Sequence, residues 1–447
     1  MSSIGIVGGG VLGMTLAAKL TRQGHRVTIL EAASRSGGLA APARIGGYTW
    51  DRFYHVVLGS DGFLHALLEE LGMADRLHWK PTRTGFYIDG QLRSLSSTVE
   101  FMTFPALGWI DKARLGATIL YASRIRAWQR LESVLASDWL RRWSGPRAWE
   151  RLWLPLLRAK LGENAGAASA AFIWAIIARM YGARRTTSKR ETFGYVEGGY
   201  AAILARFDEY LGSLGVDCVY DARVSEVRSG GDRVQVAAGH STWEFDNVVL
   251  TVPCSRVADL CPQLTESERQ RLRAVRYQGI VCAAMLLEVP LADYYITNIT
   301  DGRVPFTAVI EMTALVERAH FGGQALVYLP KYLTQQDPFW EKTDAEIQTE
   351  FLDALEEMYP HFRRQQVRTF QVSRVREMLA VTTLDYSRTL LPRTPTSVNR
   401  VFIVNSAQIA NGTLNVNETV ALADRKAGEL GSLLGPAVTS TAPAGAA

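Results

Sequence analysis

The apolar positions of this chain follow two patterns. Ile4-Gly5-Ile6-Val7 is an apolar run that stops at Gly8, and Val27-Thr28-Ile29-Leu30 is a second that stops at Glu31. Short apolar runs bounded by turn residues predict buried strands of the parallel kind, and the stretch between these two predicts a helix. Residues 247–253 and 402–404 repeat the pattern. The second pattern is alternation. Residues 219–227 and 233–238 read as strands around the turn Ser229-Gly230-Gly231-Asp232, with an amphipathic helix over 202–214 upstream. Residues 100–190 predict helices. Residues 276–385 predict strands at 280–289, 306–312 and 325–329 and a helix at 344–359.

The first turn carries the chemistry. Gly8, Gly10 and Gly13 are spaced G-x-G-x-x-G between a strand and a helix, and Glu31 closes the second strand about 20 residues on. Gly8 allows the tight turn, Gly10 lets a diphosphate approach the backbone, and Gly13 lets helix and strand pack. The helix start at Val11 and Leu12 offers N–H groups and a partial positive charge. Glu31 suits ribose hydroxyls and would repel a 2′-phosphate. This is a dinucleotide-binding βαβ unit.

The residues after Glu31 narrow the ligand. Ala32 leads to Arg35-Ser36-Gly37-Gly38-Leu39, an acid followed by R-x-G-G. On these residues the chain resembles the flavin amine oxidase superfamily, which includes protoporphyrinogen oxidase and phytoene desaturase. Further along, Gly198-Gly199 before a helix, Val224 and Val227 on a strand, and Val252-Pro253 at a strand end recur in the order of that superfamily. The resemblance implies an α/β fold: a Rossmann-type (GR2-like) FAD-binding domain with an α+β substrate domain that includes a helical lid. It implies a cofactor domain assembled from 1–80, 192–275 and 386–436, and a substrate domain from 81–191 and 276–385. The Val224 backbone would read adenine, and Pro253 would lie beside the cofactor.

The same resemblance places Phe53, Tyr54 and His55 against the flavin ring. A histidine there can stack or move a proton near neutral pH, and it is similar to UDP-galactopyranose mutase, a fold relative. The superfamily's second cofactor motif falls on Asn405-Ser406 and on Asn415-Val416-Asn417, where a helix start would face the flavin. Asn405-Ser406 departs from the usual Gly-Asp or Gly-Glu. No cysteine lies there, so noncovalent FAD is expected. The lysine that many amine oxidases carry on the strand matching 278–286 is absent. Glu311 and Lys331 are charges set in apolar strands, placed either for a catalytic site, where Glu311 or His55 would manage the proton, or as a Glu–Lys ion pair or at strand-end surface positions. Tyr332, Tyr386 and Trp174 are candidate substrate walls or core residues.

Composition changes this picture little. A chain of 447 residues with 47% hydrophobic residues buries a large core in about two or three domains. Net charge +5 with no nucleic-acid motif gives no reason to expect nucleic acid. Cys218, Cys254, Cys261 and Cys282 are scattered, so no metal site is expected and a reducing, cytoplasmic setting is. No apolar run is long enough to span a bilayer, the first strand leaves no room for a signal peptide, and residues 437–447 read as a disordered tail. Seven of the 11 tryptophans fall among residues 100–190: Trp109, Trp128, Trp139, Trp143, Trp149, Trp153 and Trp174. They interleave with arginines that include Arg184, Arg185 and Arg190. Such helices either touch a membrane surface or a phosphorylated lipid, or fill the lid core.

The expected activity is an FAD-dependent oxidoreductase that abstracts hydride from a C–C or C–N bond of an apolar or lipid-like substrate. Two alternatives stand beside it: a mutase-like enzyme using reduced FAD on a nucleotide- or lipid-linked sugar, and a non-catalytic flavoprotein that docks a membrane or partner.

Overall fold

The computed structural model describes residues 2–182, 191–410 and 414–434. The expected tail and Arg184, Arg185 and Arg190 lie outside the described residues. The fold is mixed α/β. Its first sheet has five parallel strands in the order Asp217–Val219, Arg26–Leu30, Ser3–Val7, Asn247–Leu250, Val401–Ile403. Ser3–Val7 and Asn247–Leu250 are buried at every position, as a parallel sheet covered on both faces requires. On one face lies the helix Val11–Arg22, which contacts Val416–Leu434 and Gly199–Ser213. On the other lies an antiparallel sheet of Val224–Ser229, Val234–Ala238 and Ser241–Phe245, whose valines share a core with Val7, Leu30 and Val248.

One expected strand divides. Alternation predicts a continuous strand over 219–227, but Asp217–Val219 joins the parallel sheet and Val224–Ser229 the antiparallel one. Between them the chain folds over the end of Arg26–Leu30. Glu31 N–H donates to Val219 O and Ala222 N–H to Glu31 O (2.9 and 2.8 Å), with Asp221 at φ +53°. Aspartate tolerates that left-handed conformation better than most residues.

The second large sheet has seven strands, ordered Val367–Ala380, Tyr277–Leu287, Ala325–Leu333, Ala308–Glu311, Ile296–Ile299, Thr84–Ile88, Gln91–Ser94. One face packs on the helix Asp344–Met358 through Phe351, Leu355 and Ile347. The other carries Ile280, Ile310 and Tyr328. Beside it stand the helices of the predicted helical stretch, among them Thr98–Thr103, Trp109–Ala122, Leu154–Leu161 and Ala170–Gly182. Of its tryptophans, Trp139 and Trp149 are buried, while Trp109 and Trp143 are 69% and 38% exposed.

Candidate active site

A single cavity of about 1510 Å³ joins the carboxy ends of the parallel sheet to the seven-stranded sheet and the helices. Gly8, Gly10, Val11 and Leu12 line its nucleotide end. The backbone there is crowded: a Cβ on Gly13 would sit 2.0 Å from Gly8 O, so that position accepts only glycine without distortion. Gly13 itself lies behind the turn and does not face the cavity. The helix beginning at Val11 has no side-chain cap at Gly10, which leaves its first N–H groups for a ligand.

The second glycine loop closes on the first. Gly37 N–H donates to Gly9 O (2.8 Å), and a Cβ on Gly38 would come within 3.1 Å of Gly10 Cα. Arg35, Gly38 and Leu39 line the cavity; Ala32 does not, and Ala33 takes its place. Glu31 also lines it. Its carboxylate accepts from Gly9 N–H (2.6 Å) and Ala33 N–H (2.8 Å), which fixes it at the strand end with lone pairs to spare for hydroxyls. Diphosphate donors, a held acid and a glycine-walled groove together fit a flavin dinucleotide.

The second cofactor motif is only partly at the cavity. Pro253, Ser406, Asn415 and Val416 line it. Val224 is buried in the neighbouring core, and Arg223 reaches the cavity instead. Asn405 is fully buried: its amide donates to Val252 O (2.9 Å) and its Oδ1 accepts from Ala407 N–H (3.1 Å). Asn417 accepts from Phe63 and Leu64 N–H (2.9 and 3.2 Å) and so anchors the start of the helix Gly62–Glu70. Both asparagines hold backbone, and the Asn417 NH2 group donates to Glu418 Oε1 (3.4 Å).

Phe53, Tyr54 and His55 line the middle. His55 stands over Tyr200, ring centroids 4.6 Å apart, and its buried Nδ1 has no hydrogen-bond partner. Asp51 Oδ2 is 3.6 Å from that nitrogen. Asp51 is 2% exposed and fixed by Tyr200 N–H, which donates to its Oδ1 (2.7 Å). A held carboxylate thus lies near one edge of a cavity-lining imidazole, the side-chain type best suited to proton transfer near neutral pH.

Glu311 and Lys331 are not at the cavity. Successive residues of a strand point to opposite faces, so Ile310 and Tyr332 face the cavity and their neighbours face the helix Asp344–Met358. Glu311 accepts from Leu291 and Ala292 N–H (3.1 and 3.0 Å), and burial pushes its carboxyl up to about 7. Lys331 donates to Pro305 O (2.7 Å) and stands over the Phe339 ring; burial lowers its ammonium below the ordinary range. They do not form the ion pair considered as an alternative. Tyr386 is also off the cavity, fully buried with its hydroxyl donating to Ala407 O (2.8 Å). Trp174 donates to Ala122 O (2.9 Å) and stacks on Trp128 within the helical core.

Several lining residues escape sequence reasoning. Arg52, one position before the aromatic pair Phe53 and Tyr54, donates to Gly38 O (2.9 Å). Arg179 pairs with Asp61 (3.0 Å). Lys160 and Trp153 arrive from the helical stretch, where nothing in the local pattern separates them from solvated or core positions. Tyr54 and Tyr332 share a hydrogen bond (2.7 Å), and Lys160 Nζ is 3.4 Å from the Tyr332 hydroxyl. Leu115, Ile119, Ile280 and Ile310 make the surrounding wall apolar. Among the described residues no cysteine lines the cavity, and no cluster of three metal-ligating side chains occurs.

Known proteins resemble this chain in sequence and fold. The model of flavin containing amine oxidoreductases matches residues 13–416. A coproporphyrinogen III oxidase of Mycobacterium tuberculosis H37Rv is 30% identical over 316 residues, 64% of this chain and 66% of that protein. The chain thus spans about two thirds of the length of that relative. A hydroxysqualene dehydroxylase of Zymomonas mobilis is 22% identical over 326 residues, 70% of this chain and 75% of that one. Among solved structures, an oxidoreductase from Methanosarcina mazei superposes with TM-score 0.74 at 18% identity, covering 96% of this chain and 100% of that one. Putrescine oxidase bound to putrescine gives TM-score 0.73 at 18% identity, covering 96% and 98%. These likenesses extend the fold across nearly the whole chain. The chain belongs to the flavin-containing amine oxidoreductase family.

Proposed function

We propose that this enzyme removes a hydride and a proton from a C–C or C–N bond of an apolar substrate. The observation that carries the reading is the continuity of one cavity from the glycine turn, past His55, to the apolar wall of Leu115, Ile119, Ile280 and Ile310. Bound FAD, held noncovalently, supplies the hydride acceptor. The rest falls to the chain. The N–H groups at Val11 and Leu12 hold the diphosphate, and Glu31 holds ribose hydroxyls. The proton goes to His55, whose ring stands against Tyr200 with the Asp51 carboxylate 3.6 Å from its Nδ1. The helices over the cavity exclude water, which strengthens each of these interactions. Segments 1–80, 192–275 and 386–436 then serve the cofactor, and 81–191 and 276–385 the substrate.

The outer face of the helix Trp109–Ala122 supports a further part of the proposal, peripheral contact with a lipid surface. Trp109, Ile110, Leu120 and Tyr121 are exposed there, with Val99 and Met102 beside them, while Leu115 and Ile119 of the same helix line the cavity. Among the described residues no helix is long and apolar enough to cross a membrane. Flotation with anionic vesicles, lost in Trp109→Asp/Ile110→Asp, is the expected result.

The test of the main reading is anaerobic mixing of the FAD-loaded protein with polyenes, tetrapyrroles, polyprenyl compounds and amines. Bleaching of the flavin absorbance by an apolar compound is expected, slowed roughly 100-fold or more in His55→Asn. No bleaching by any of them, together with binding of UDP-sugars to the reduced protein alone, would transfer the case to sugar-mutase chemistry.

A further inference from the structure

Lys160 is the lysine of the cavity wall, and it lacks the carboxylate partner that Arg179 and Arg374 of the same wall have. Arg52 is bonded to Gly38 O, Arg179 to Asp61 and Arg374 to Asp344. Among the described residues, no carboxylate lies within ion-pair distance of the Lys160 ammonium. Its polar partner is the Tyr332 hydroxyl at 3.4 Å, and it is held 4.5 Å from the centre of the Tyr332 ring. Tyr332 in turn shares its hydroxyl with Tyr54 at 2.7 Å. Burial, and then the neighbouring Tyr332, push the Tyr54 hydroxyl well above the ordinary phenol range, so it keeps its proton.

We infer that Lys160, with Tyr332 and Tyr54, forms a subsite for an anionic group, a carboxylate, on an otherwise apolar substrate. The Lys160 ammonium is half-buried on the cavity wall, has a phenol as its polar partner and keeps N–H donors to spare. Among the described residues no further protein acceptor matches its remaining N–H donors, and the Tyr54–Tyr332 pair, in which one hydroxyl donates to the other, adds one more donor. A carboxylate satisfies the set through charge-assisted hydrogen bonds, while an alkylammonium would meet repulsion. The position is built rather than accidental. The helix Leu154–Leu161 is tied to the loop before Ala308–Glu311 by Thr307 Oγ1 donating to Ala159 O (2.9 Å), next to Lys160. Strand alternation turns Tyr332 to the cavity. The inference rests on the apolar-substrate reading and narrows it: the amines among the candidates become the least suited.

The test uses the FAD-loaded full chain and three probes of one chain length: decanoate, decan-1-ol and decylammonium. Each is titrated while the absorbance of the bound flavin is followed, so the signal reports the cavity and not the outer helix face. Decanoate is expected to bind roughly tenfold tighter than decanol, with decylammonium weakest. Lys160→Met closes the gap between decanoate and decanol, and Lys160→Arg keeps it. If Lys160→Met fails to retain flavin, Lys160→Gln carries the same comparison. Equal binding of decanoate and decanol by the natural protein, tighter binding of decylammonium, or an unchanged gap in the neutral variant would overturn the subsite and leave the apolar cavity standing. If no probe perturbs the flavin, both the subsite and the apolar-substrate reading fail.

Discussion

The two ends of the cavity are made differently. The nucleotide end is mostly backbone: the glycine turn, the uncapped helix start and the second glycine loop docked on the first. These three parts lie close together in sequence, with Gly13 and Gly38 held to glycine by the backbone beside them, while Pro253, Ser406 and Val416 reach the cavity from distant segments. The substrate end is mostly side chains drawn from distant segments, such as Tyr54, Lys160, Ile280 and Tyr332. Their arrangement depends on which strand face and which helix face turns inward. Proteins named for coproporphyrinogen, hydroxysqualene and putrescine chemistry are similar to this chain in sequence or fold.

The contrast is most sharply broken at Gly13. Gly13→Ala drives a Cβ into Gly8 O, and the expected outcome is loss of bound FAD with about 2–4 kcal/mol of stability. Flavin content and urea unfolding measure both. An Ala variant at this position that kept FAD would mean that the turn is not the anchor.

Glu311 tests the far face of the substrate sheet. Its carboxyl is raised to about 7 by burial, above its unfolded value of about 4.3. The folded state thus binds the proton more tightly. The stability this contributes is complete below about pH 4.3 and is lost as pH rises through about 7, a fall of roughly 3–4 kcal/mol at most. In Glu311→Gln this decline should flatten in denaturation curves collected across that range. Turnover should stay within about twofold, since the residue faces away from the cavity; a larger fall would place it in the reaction after all.

Smaller effects sharpen the nucleotide end. Glu31→Ala frees the Gly9 and Ala33 N–H groups and removes the ribose acceptor. A loss of about 1.5–3 kcal/mol, roughly 10- to 100-fold in the Kd of FAD by titration of the apoprotein, is expected. Tyr386→Phe removes one buried hydrogen bond, to Ala407 O. It should lower stability by about 1 kcal/mol and leave kinetics unchanged, whereas altered substrate affinity would return Tyr386 to the cavity.

The same division explains what is legible in the chain. The strand at 3–7, the helix after it and Glu31 are legible because their signals are local spacing. Phe53, Tyr54 and His55 are legible because the segment comes at a fixed distance after the glycine loop. Motif position assigns Asn405 and Asn417 to the cofactor, but their amides hold Val252 and the helix at Gly62, partners 153 and 354 residues away in the case of Val252 and Phe63. No local pattern announces such partners. Glu311 and Lys331 stand out correctly as charges in apolar strands, yet a buried charge does not say which face it occupies, and one residue of alternation decides it. The edge strand Val367–Ala380 goes unread because arginines at 368, 374 and 376 and Glu377 dilute its apolar alternation. Lys160 carries no signal, since a lysine on a helix ordinarily marks a solvated face.

The most direct measurement is a crystal structure with FAD bound. The expected result is the diphosphate at the N–H groups of Val11 and Leu12, a ribose on Glu31, and the isoalloxazine beside Phe53, Tyr54 and His55 with the Lys160–Tyr332–Tyr54 cluster on the substrate side. A flavin ring lying elsewhere, with His55 remote from it, would contradict the assignment of one cavity to both cofactor and substrate.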